Sequence, residues 1–487
     1  MTDFSKIVQK PEEIEKFKKE DDFYDFTDVI FYCEIEFSKV LEENTFYNVS
    51  FKNAVFKEEV CFKYLKFLGN VDFRKAQFKR NANFSVSRFL ENVTFRGSKF
   101  ELGAYFGGAI FFGTADFSLT DYSENTCFQN AIFRNKVFFQ HAKFVKKTDF
   151  GIVRFFDDVN FFEAEFAKPV NFRNTVFGEK CNFRSAKFAE EADFEKAKFR
   201  NNVDFLAASF SGEAIFGRAL FFKDSDFRRS KFHSLAIFSN AIFLSDSLFG
   251  GAHFSDETDF EKTQFCGYAD FYVAEFAAFT DFKEALFGEK GKSRFVLTKF
   301  LDVANFFGAQ FLGKKNDFSG VLFAKNFLFK EAKLENGNRE TFRIIKHGFL
   351  TDNNRIDALA FHKKEMRAYW KDLFEEDVWS RITAENFVCK LKKWLIIKIC
   401  QQFNEKIILF LSRYSNNYGL SWWRSFGTTI AISLVFFVLY ILTLSEPYFT
   451  LVWHGGSNFS NALDISLKYW VQFLNPAHSF LSITTHT

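Results

Sequence analysis

Between Val170 and Phe210 one pattern of apolar and polar positions recurs eight times. Phenylalanine stands at 172, 177, 183, 188, 194, 199, 205 and 210, so the steps alternate between five and six residues. Two residues before each Phe is a small or β-branched residue: Val170, Thr175, Cys181, Ala186, Ala192, Ala197, Val203 and Ala208. The residue between them is mostly polar, as at Asn171, Asn182, Lys187, Asp193, Lys198 and Asp204. Neither the helical period of 3.6 nor plain strand alternation gives this spacing. A fixed internal period of this kind dictates a repeat architecture.

The pattern is faint at Phe26, Phe31 and Phe37, breaks at 38–45, and runs regularly from Phe46 through Phe323 and Phe329 to Leu334. Only Tyr122 and Leu334 replace Phe at its centre. GEKGKSR between Phe287 and Phe295, and a two-residue excess between Phe311 and Phe318, read as loops bulging from a regular stack.

Ala76-Gln77-Phe78, Ala192-Asp193-Phe194, Ala269-Asp270-Phe271 and Ala304-Asn305-Phe306 resemble the unit of pentapeptide-repeat proteins: small, polar, central Leu or Phe, and two variable residues. The resemblance covers roughly three-fifths of the chain and implies an all-β solenoid, a right-handed four-sided β-helix with four units per coil. The extra residue in every second unit sets a coil of about 22 residues. The central residue and the small one would face inward, which makes Phe172, Phe177, Phe183, Phe188, Phe194, Phe199, Ala186, Ala192 and Ala197 the structural core. Stacked at ~4.8 Å, roughly 53 units would form about 13 coils and a rod of about 60 Å. Each buried Phe would contribute about 1.5–3 kcal/mol, and the partner slot must be small because neighbouring rings fill the interior.

The flanks differ. Residues 1–25 are acidic; Pro11, Glu12, Glu13 and Glu15 suit a short helix that caps the first coil. The β-helix is expected over 26–334. From 335 to 380 the period becomes helical, with one stripe at Phe342, Ile345 and Phe349 and another from Ala358 and Phe361 to Leu373, split by Asp352-Asn353-Asn354. This cap and linker resembles the helical segment that follows the repeats in some bacterial membrane-linked members of the family. Residues 381–425 contain FVCKLKKWLIIKICQQFNEKIILFL, a basic amphipathic run suited to an anionic membrane surface, with a soluble packing helix as the alternative. Phe426–Leu444 is uncharged and long enough for one transmembrane helix, with a buried core helix as the alternative. Trp422 and Trp423 precede it as interfacial anchors. Lysine and arginine crowd its N-terminal side, so the positive-inside rule places the β-helix in the cytoplasm of a single-pass protein, with a bacterial inner membrane as its expected site. The tail, 445–487, carries NALDISLKYWVQFL, an interfacial or re-entrant helix.

Composition changes little in this picture. Of 487 residues 79 are Phe, consistent with one repeated interior slot, and the net charge of +3 signals neither nucleic acid nor an acidic partner. Seven cysteines lack CxxC spacing; Cys181 takes a small inward slot, Cys61 and Cys127 the slot before Phe, and all read as reduced thiols. The N-terminal MTDFSKIVQKPEEIEKF has no apolar core of a secretory signal. No P-loop, GxGxxG, GxSxG or HExxH occurs. His362 and Glu365 lie one helical turn apart but lack a third ligand in the sequence, so they read as a solvated face. No catalytic residue, cofactor, metal or small-molecule substrate is expected.

The sequence therefore points to a non-enzymatic, membrane-anchored scaffold whose partners are a protein of unknown identity and membrane lipid. Recognition would fall to outward residues such as Arg173, Glu179, Arg184, Glu190, Glu195 and Arg200. The resemblance also implies an alternative, a DNA-mimicking topoisomerase inhibitor, but mimicry needs a strongly negative rod and 46–334 has slightly more Lys and Arg than Asp and Glu. A regulatory domain of a channel-like membrane protein is a further alternative, against which stand a single span and no TVGYG-like filter. Direct nucleic-acid binding is not expected, because both charge signs are mixed along the array.

Overall fold

Val71 pairs with Val93, and Val93 with Ala115, in parallel register. This offset of 22 residues repeats along the array, so each coil lies directly on the one before it. The computed structural model describes residues 6–19, 23–41, 44–288, 290–375, 412–413, 423, 426–432 and 434–435. Strands of two or three residues stack into four parallel sheets of 15, 14, 14 and 14 strands. In one coil they are Val71–Asp72 (face I), Gln77–Phe78 (face II), Ala82–Asn83 (face III) and Arg88–Phe89 (face IV). The chain visits the faces in that order, so face II is opposite face IV.

The solenoid has about 15 turns rather than 13, because it starts earlier than the Phe pattern suggests. Ile7–Val8 pairs with Ile30–Phe31, and Phe23–Asp25 with Asn48–Ser50. At ~4.8 Å per turn the rod is roughly 65 Å long. The N-terminal helix is a 3₁₀ segment, Pro11–Phe17, lying between strands of the first coil with Pro11 at its start and Ile14 buried. Glu13 accepts the backbone N–H of Gln9 at 2.7 Å, which with Lys16 and the Lys10 N–H holds its carboxyl down to about 2.

Phe172, Phe177, Phe183, Phe188, Phe194 and Phe199 are at most 1% exposed, and Ala186, Ala192 and Ala197 are fully buried. Along the axis the rings stack: Phe172 and Phe194 are 4.7 Å apart and 6° from parallel. Across the interior they meet edge to face, as Phe172 and Phe183 do at 5.5 Å and 81°. Both arrangements suit the aromatic quadrupole. Where Thr takes the small slot, its hydroxyl donates to a backbone carbonyl (Thr175 to Phe150 at 2.7 Å, Thr263 to Phe238 at 2.8 Å), which removes the penalty of burying it.

The alternation of five and six reflects two kinds of corner. In the five-residue step, Ala76 N–H donates to Phe73 O at 3.0 Å and Lys75 has φ 57°, a type II turn. Left-handed residues recur every 11 positions from Tyr64 to Glu284. The six-residue step turns without one. Just before the type II turn, the polar residue preceding Phe closes an Asx turn: Asp72 accepts from Arg74 N at 2.9 Å, Asn171 from Arg173 N at 2.8 Å, and Asp204 from Leu206 N at 2.7 Å. Both insertions fall at the corner leading from face IV to face I, and the break at 38–45 holds a single helical turn, α1 (Phe37–Val40).

The last coil is closed by α2 (Arg339–Thr351), whose Phe342, Ile345 and Phe349 are buried. Thr341 Oγ1 accepts the backbone N–H of Phe318 at 2.9 Å, in place of the carbonyl that a further coil would offer. Asn338 caps the helix by accepting from Thr341 N at 2.8 Å and ties it back by donating to Asp317 and Ser319, each at 2.9 Å. The free edge of the solenoid is thereby covered.

Residues from Asn354 onward form a second unit. Its described part is mainly α3 (Arg355–Glu375). The solvated-face reading of His362 and Glu365 needs correction: His362 Nδ1 lies 3.6 Å from a Glu365 carboxylate oxygen, but Glu365 is buried. The transmembrane helix expected at 426–444 is not found. Residues 426–432 and 434–435 are helical, but no helix among the described residues is long and apolar enough to cross a membrane. The rest of that stretch, nearly all of 381–425, and 445–487 lie outside the described residues.

Candidate interaction faces

Every inward position is occupied by core, so recognition falls to the outward side chains, and faces II and IV handle them in opposite ways. On face II the residue before Phe alternates in sign from coil to coil: Lys99, Asp121, Lys143, Glu165, Lys187. Lys187 reaches Glu165 at 2.8 Å and Lys299 reaches Glu275 at 3.2 Å. The hydrogen bond between Lys187 and Glu165 lowers the carboxyl's pKa and raises that of the ammonium. Such exposed pairs add little to stability, because solvent screens them. Their larger effect is to neutralise the face.

Face IV is apolar and basic. Ile110 stacks on Ile132, and Leu220 on Ile242, in the column before Phe. In the column after Phe, Phe112, Phe156, Phe222 and Leu244 are 43%, 47%, 40% and 47% exposed. The Arg134 guanidinium lies over the rings of Phe112 and Phe156, at 5.8 and 5.0 Å from their centroids. Arg154, Lys198 and Arg200 are exposed, and none forms a salt bridge among the described residues. Three acids at the neighbouring corner are hydrogen-bonded to other groups: Glu179 accepts from Asn201 at 2.6 Å, Asp158 from Lys180 N at 3.2 Å, and Asp224 from Ser245 at 2.6 Å.

The six outward residues singled out from the sequence are not brought together. Arg173 and Glu195 stand on successive coils of face III, where Arg173 pairs with Glu195 and, at 3.2 Å, with Asp193. Arg184 follows the inward Phe of face I, and Arg200 belongs to face IV. Glu179 and Glu190 sit at different corners, Glu190 bound to Lys168 at 2.5 Å. What pattern reading missed is face IV as a unit. Its signal was present, since 112, 134, 156, 178, 200 and 222 differ by multiples of the coil length.

A shallow groove of about 1100 Å³ runs along face I past Asn48, Ser50, Asp72, Asn92 and Thr94. Arg74, also lining it, is bound to Asp72 at 2.6 Å and so is not free for an anion. No group of three or more metal-ligating side chains converges among the described residues. Burial raises the thiol pKa of Cys127, Cys266 and, most strongly, Cys181, away from reactive thiolate chemistry. Of the expected membrane anchors, Trp423 and Phe426 are exposed, with ring centroids 6.3 Å apart. Trp422 and Leu444 lie outside the described residues.

A family model described as pentapeptide repeats (9 copies) matches residues 62–109, 73–121, 161–208 and 183–231. The match and the four-sheet solenoid support a pentapeptide-repeat protein. The same 22-residue register continues between the matched segments and after them as far as Leu286, as Thr126↔Thr148, Ala236↔Thr258 and Gln264↔Leu286 show. No curated protein and no solved structure matches the chain.

Proposed function

We propose that this protein is a non-enzymatic scaffold, a rigid pentapeptide-repeat solenoid that presents long flat faces to a protein partner and is tethered to a membrane by the segment at 426–444. The observation that carries this reading is the stacked register, 22 residues per coil from Val49 to Leu286, which places outward side chains in columns along the rod. Rigid, regularly spaced columns recognise an extended partner at little ordering cost. The tether rests on the uncharged stretch 426–444 and on the exposed Phe426, Ile432, Leu434 and Val435 of its helical part. With lysine and arginine concentrated before that stretch, the solenoid lies in the cytoplasm.

Crosslinking and pull-down from native membranes, with 426–444 deleted as the control, tests the scaffold. A partner held by the intact chain and lost on solenoid surface substitutions is expected. Carbonate extraction tests the tether: full-length chain released into the soluble fraction overturns it. DNA mimicry has less support, because the unpaired charges of face IV are basic and would repel a DNA-binding surface.

A further inference from the structure

We infer that face IV docks on an anionic lipid bilayer, with the solenoid lying along the membrane surface. This deepens the membrane reading above, because it concerns the same bilayer. It has its own ground in the solenoid itself.

Three observations carry it. Over these coils the face exposes aromatic rings where its opposite exposes only Val145 and Leu301 among large apolar side chains: Phe112, Phe156, Phe222 and Leu244 project from one flat column and each exposes more than a third of its surface. Soluble surfaces seldom keep so many large apolar side chains along one face without an occupant. The same column ends at Leu312, also exposed. From Phe112 to Leu312 it spans ten coils, or roughly 43 Å at the strand spacing.

The charges interleaved with that column have one sign. Arg134, Arg154, Lys198 and Arg200 point outward, and no Asp or Glu occupies the positions beside Phe on this face between Lys66 and Leu312. On face II the same kind of position alternates Lys with Glu or Asp and neutralises itself. Unpaired cations on an apolar ground match phosphate headgroups above acyl chains, where each basic residue near the surface adds attraction and each ring removes apolar area from water.

The same charges disfavour a second copy of this face. Two such faces packed together would bring Arg154, Lys198 and Arg200 against their equivalents with no carboxylate between them. Flatness and length also suit a planar occupant better than a compact protein. Arg134, held over Phe112 and Phe156, would stay beside the headgroups while the rings sink below them.

The test uses the full-length chain carrying the photocrosslinking residue benzoyl-phenylalanine in place of Phe156, or in place of Ala189 on the opposite face, reconstituted with vesicles of phosphatidylcholine alone or of phosphatidylcholine and phosphatidylglycerol at three to one. Adducts are identified by mass spectrometry. Lipid adducts at position 156 are expected to exceed those at 189 by about tenfold in anionic vesicles, and to fall several-fold in neutral vesicles or with Arg154→Glu and Arg200→Glu together. Equal lipid adducts at 156 and 189, or chain-to-chain adducts at 156, overturn the inference. Carbonate extraction of the same vesicles separates it from the tether. A carbonate-resistant chain with no lipid adduct at 156 keeps the tether and rejects the docking face. A carbonate-soluble chain with strong adducts at 156 does the reverse.

Discussion

Gly348 of α2 lies against the ring of Phe327, and a β-carbon on Gly348 would come within 1.8 Å of the ring's Cε1. Phe327 occupies a slot that holds Thr258, Thr280 and Ala304 on the preceding coils of the same face, and it stacks on Phe323 at 4.4 Å. The last coil thus carries a large side chain where the others need a small one, and the missing side chain of the cap helix makes room for it. Gly348→Ala is expected to destabilise the solenoid by about 1–3 kcal/mol through overpacking. In an exposed helix the same change would stabilise by up to about 1 kcal/mol. The sign of the shift in a urea melt decides between the two.

Tyr122 stands in a phenylalanine column, between Phe100 at 5.1 Å and Phe144 at 4.7 Å, and its buried hydroxyl has no hydrogen-bond partner among the described residues. Burial pushes its pKa well above the ordinary value. Tyr122→Phe should raise stability by about 1–2 kcal/mol, since an unsatisfied buried hydroxyl is removed without loss of ring area. Thermal unfolding of the two proteins measures it, and a fall in Tm would show that the hydroxyl is satisfied in solution.

Within the core, Ala192 and Phe194 illustrate which slot is less tolerant. Ala192→Leu inserts volume among close-packed rings, whereas Phe194→Leu removes one ring from the stack between Phe172 and Phe216. We expect Ala192→Leu to lose more stability, by about 1 kcal/mol or more. Equilibrium denaturation of both variants gives the order directly.

The left-handed turn column supplies a stabilising substitution. Ile152 has φ 60°, a conformation that a β-branched side chain adopts only under strain, while one coil on either side the position is held by Asn130 and Asn174. Ile152→Asn should gain roughly 1 kcal/mol from relief of that strain. Differential scanning calorimetry reads it as a raised midpoint, and an unchanged one would mean that Ile152's own contacts offset the strain.

Asp204 gives a pH signature. Burial raises its carboxyl pKa, outweighing the hydrogen bond from Leu206 N; Asp226 on the next coil adds to the rise. The folded state therefore binds this proton more tightly than the unfolded chain. Its charge is a liability at pH values above the folded pKa, and the liability fades as pH falls through that value. Asp204→Asn keeps the Asx acceptor, as Asn182 does one coil earlier. It should stabilise at pH 7 by less than about 1 kcal/mol, given the solvent screening of a half-buried group. The gain should shrink toward zero below the ordinary carboxylate range, as stability curves at several pH values would show.

How much was legible in the sequence follows from which residues repeat. The Phe and Ala positions repeat strictly, and the 22-residue coil and the buried core could be read from them. The ends could not be read this way, because a terminal coil has a cap in place of one neighbour. Tyr24 and Phe327 put aromatic rings in slots that the regular array fills with small or aliphatic side chains, so Ile7–Val8 and Phe23–Asp25 did not look like strands of the solenoid. The turn types were hidden because Lys75, Val86 and Ile152 carry no glycine signature at their left-handed positions. Face IV was hidden because its members lie 22 residues apart and only the coil gathers them.

The two kinds of corner give the rod a rotational grammar. Five plus six residues traverse two faces, and twice that closes a coil. Removal of 22 residues from the regular region would shorten the rod by one floor and leave every column aligned. Removal of 11 would preserve the inward sequence pattern just as well, yet turn everything downstream by half a revolution, so that the alternating charges of one side would continue the aromatic line of the other. Length changes in multiples of the full coil are therefore silent for the surface, and half-coil changes rewrite it while sparing the core.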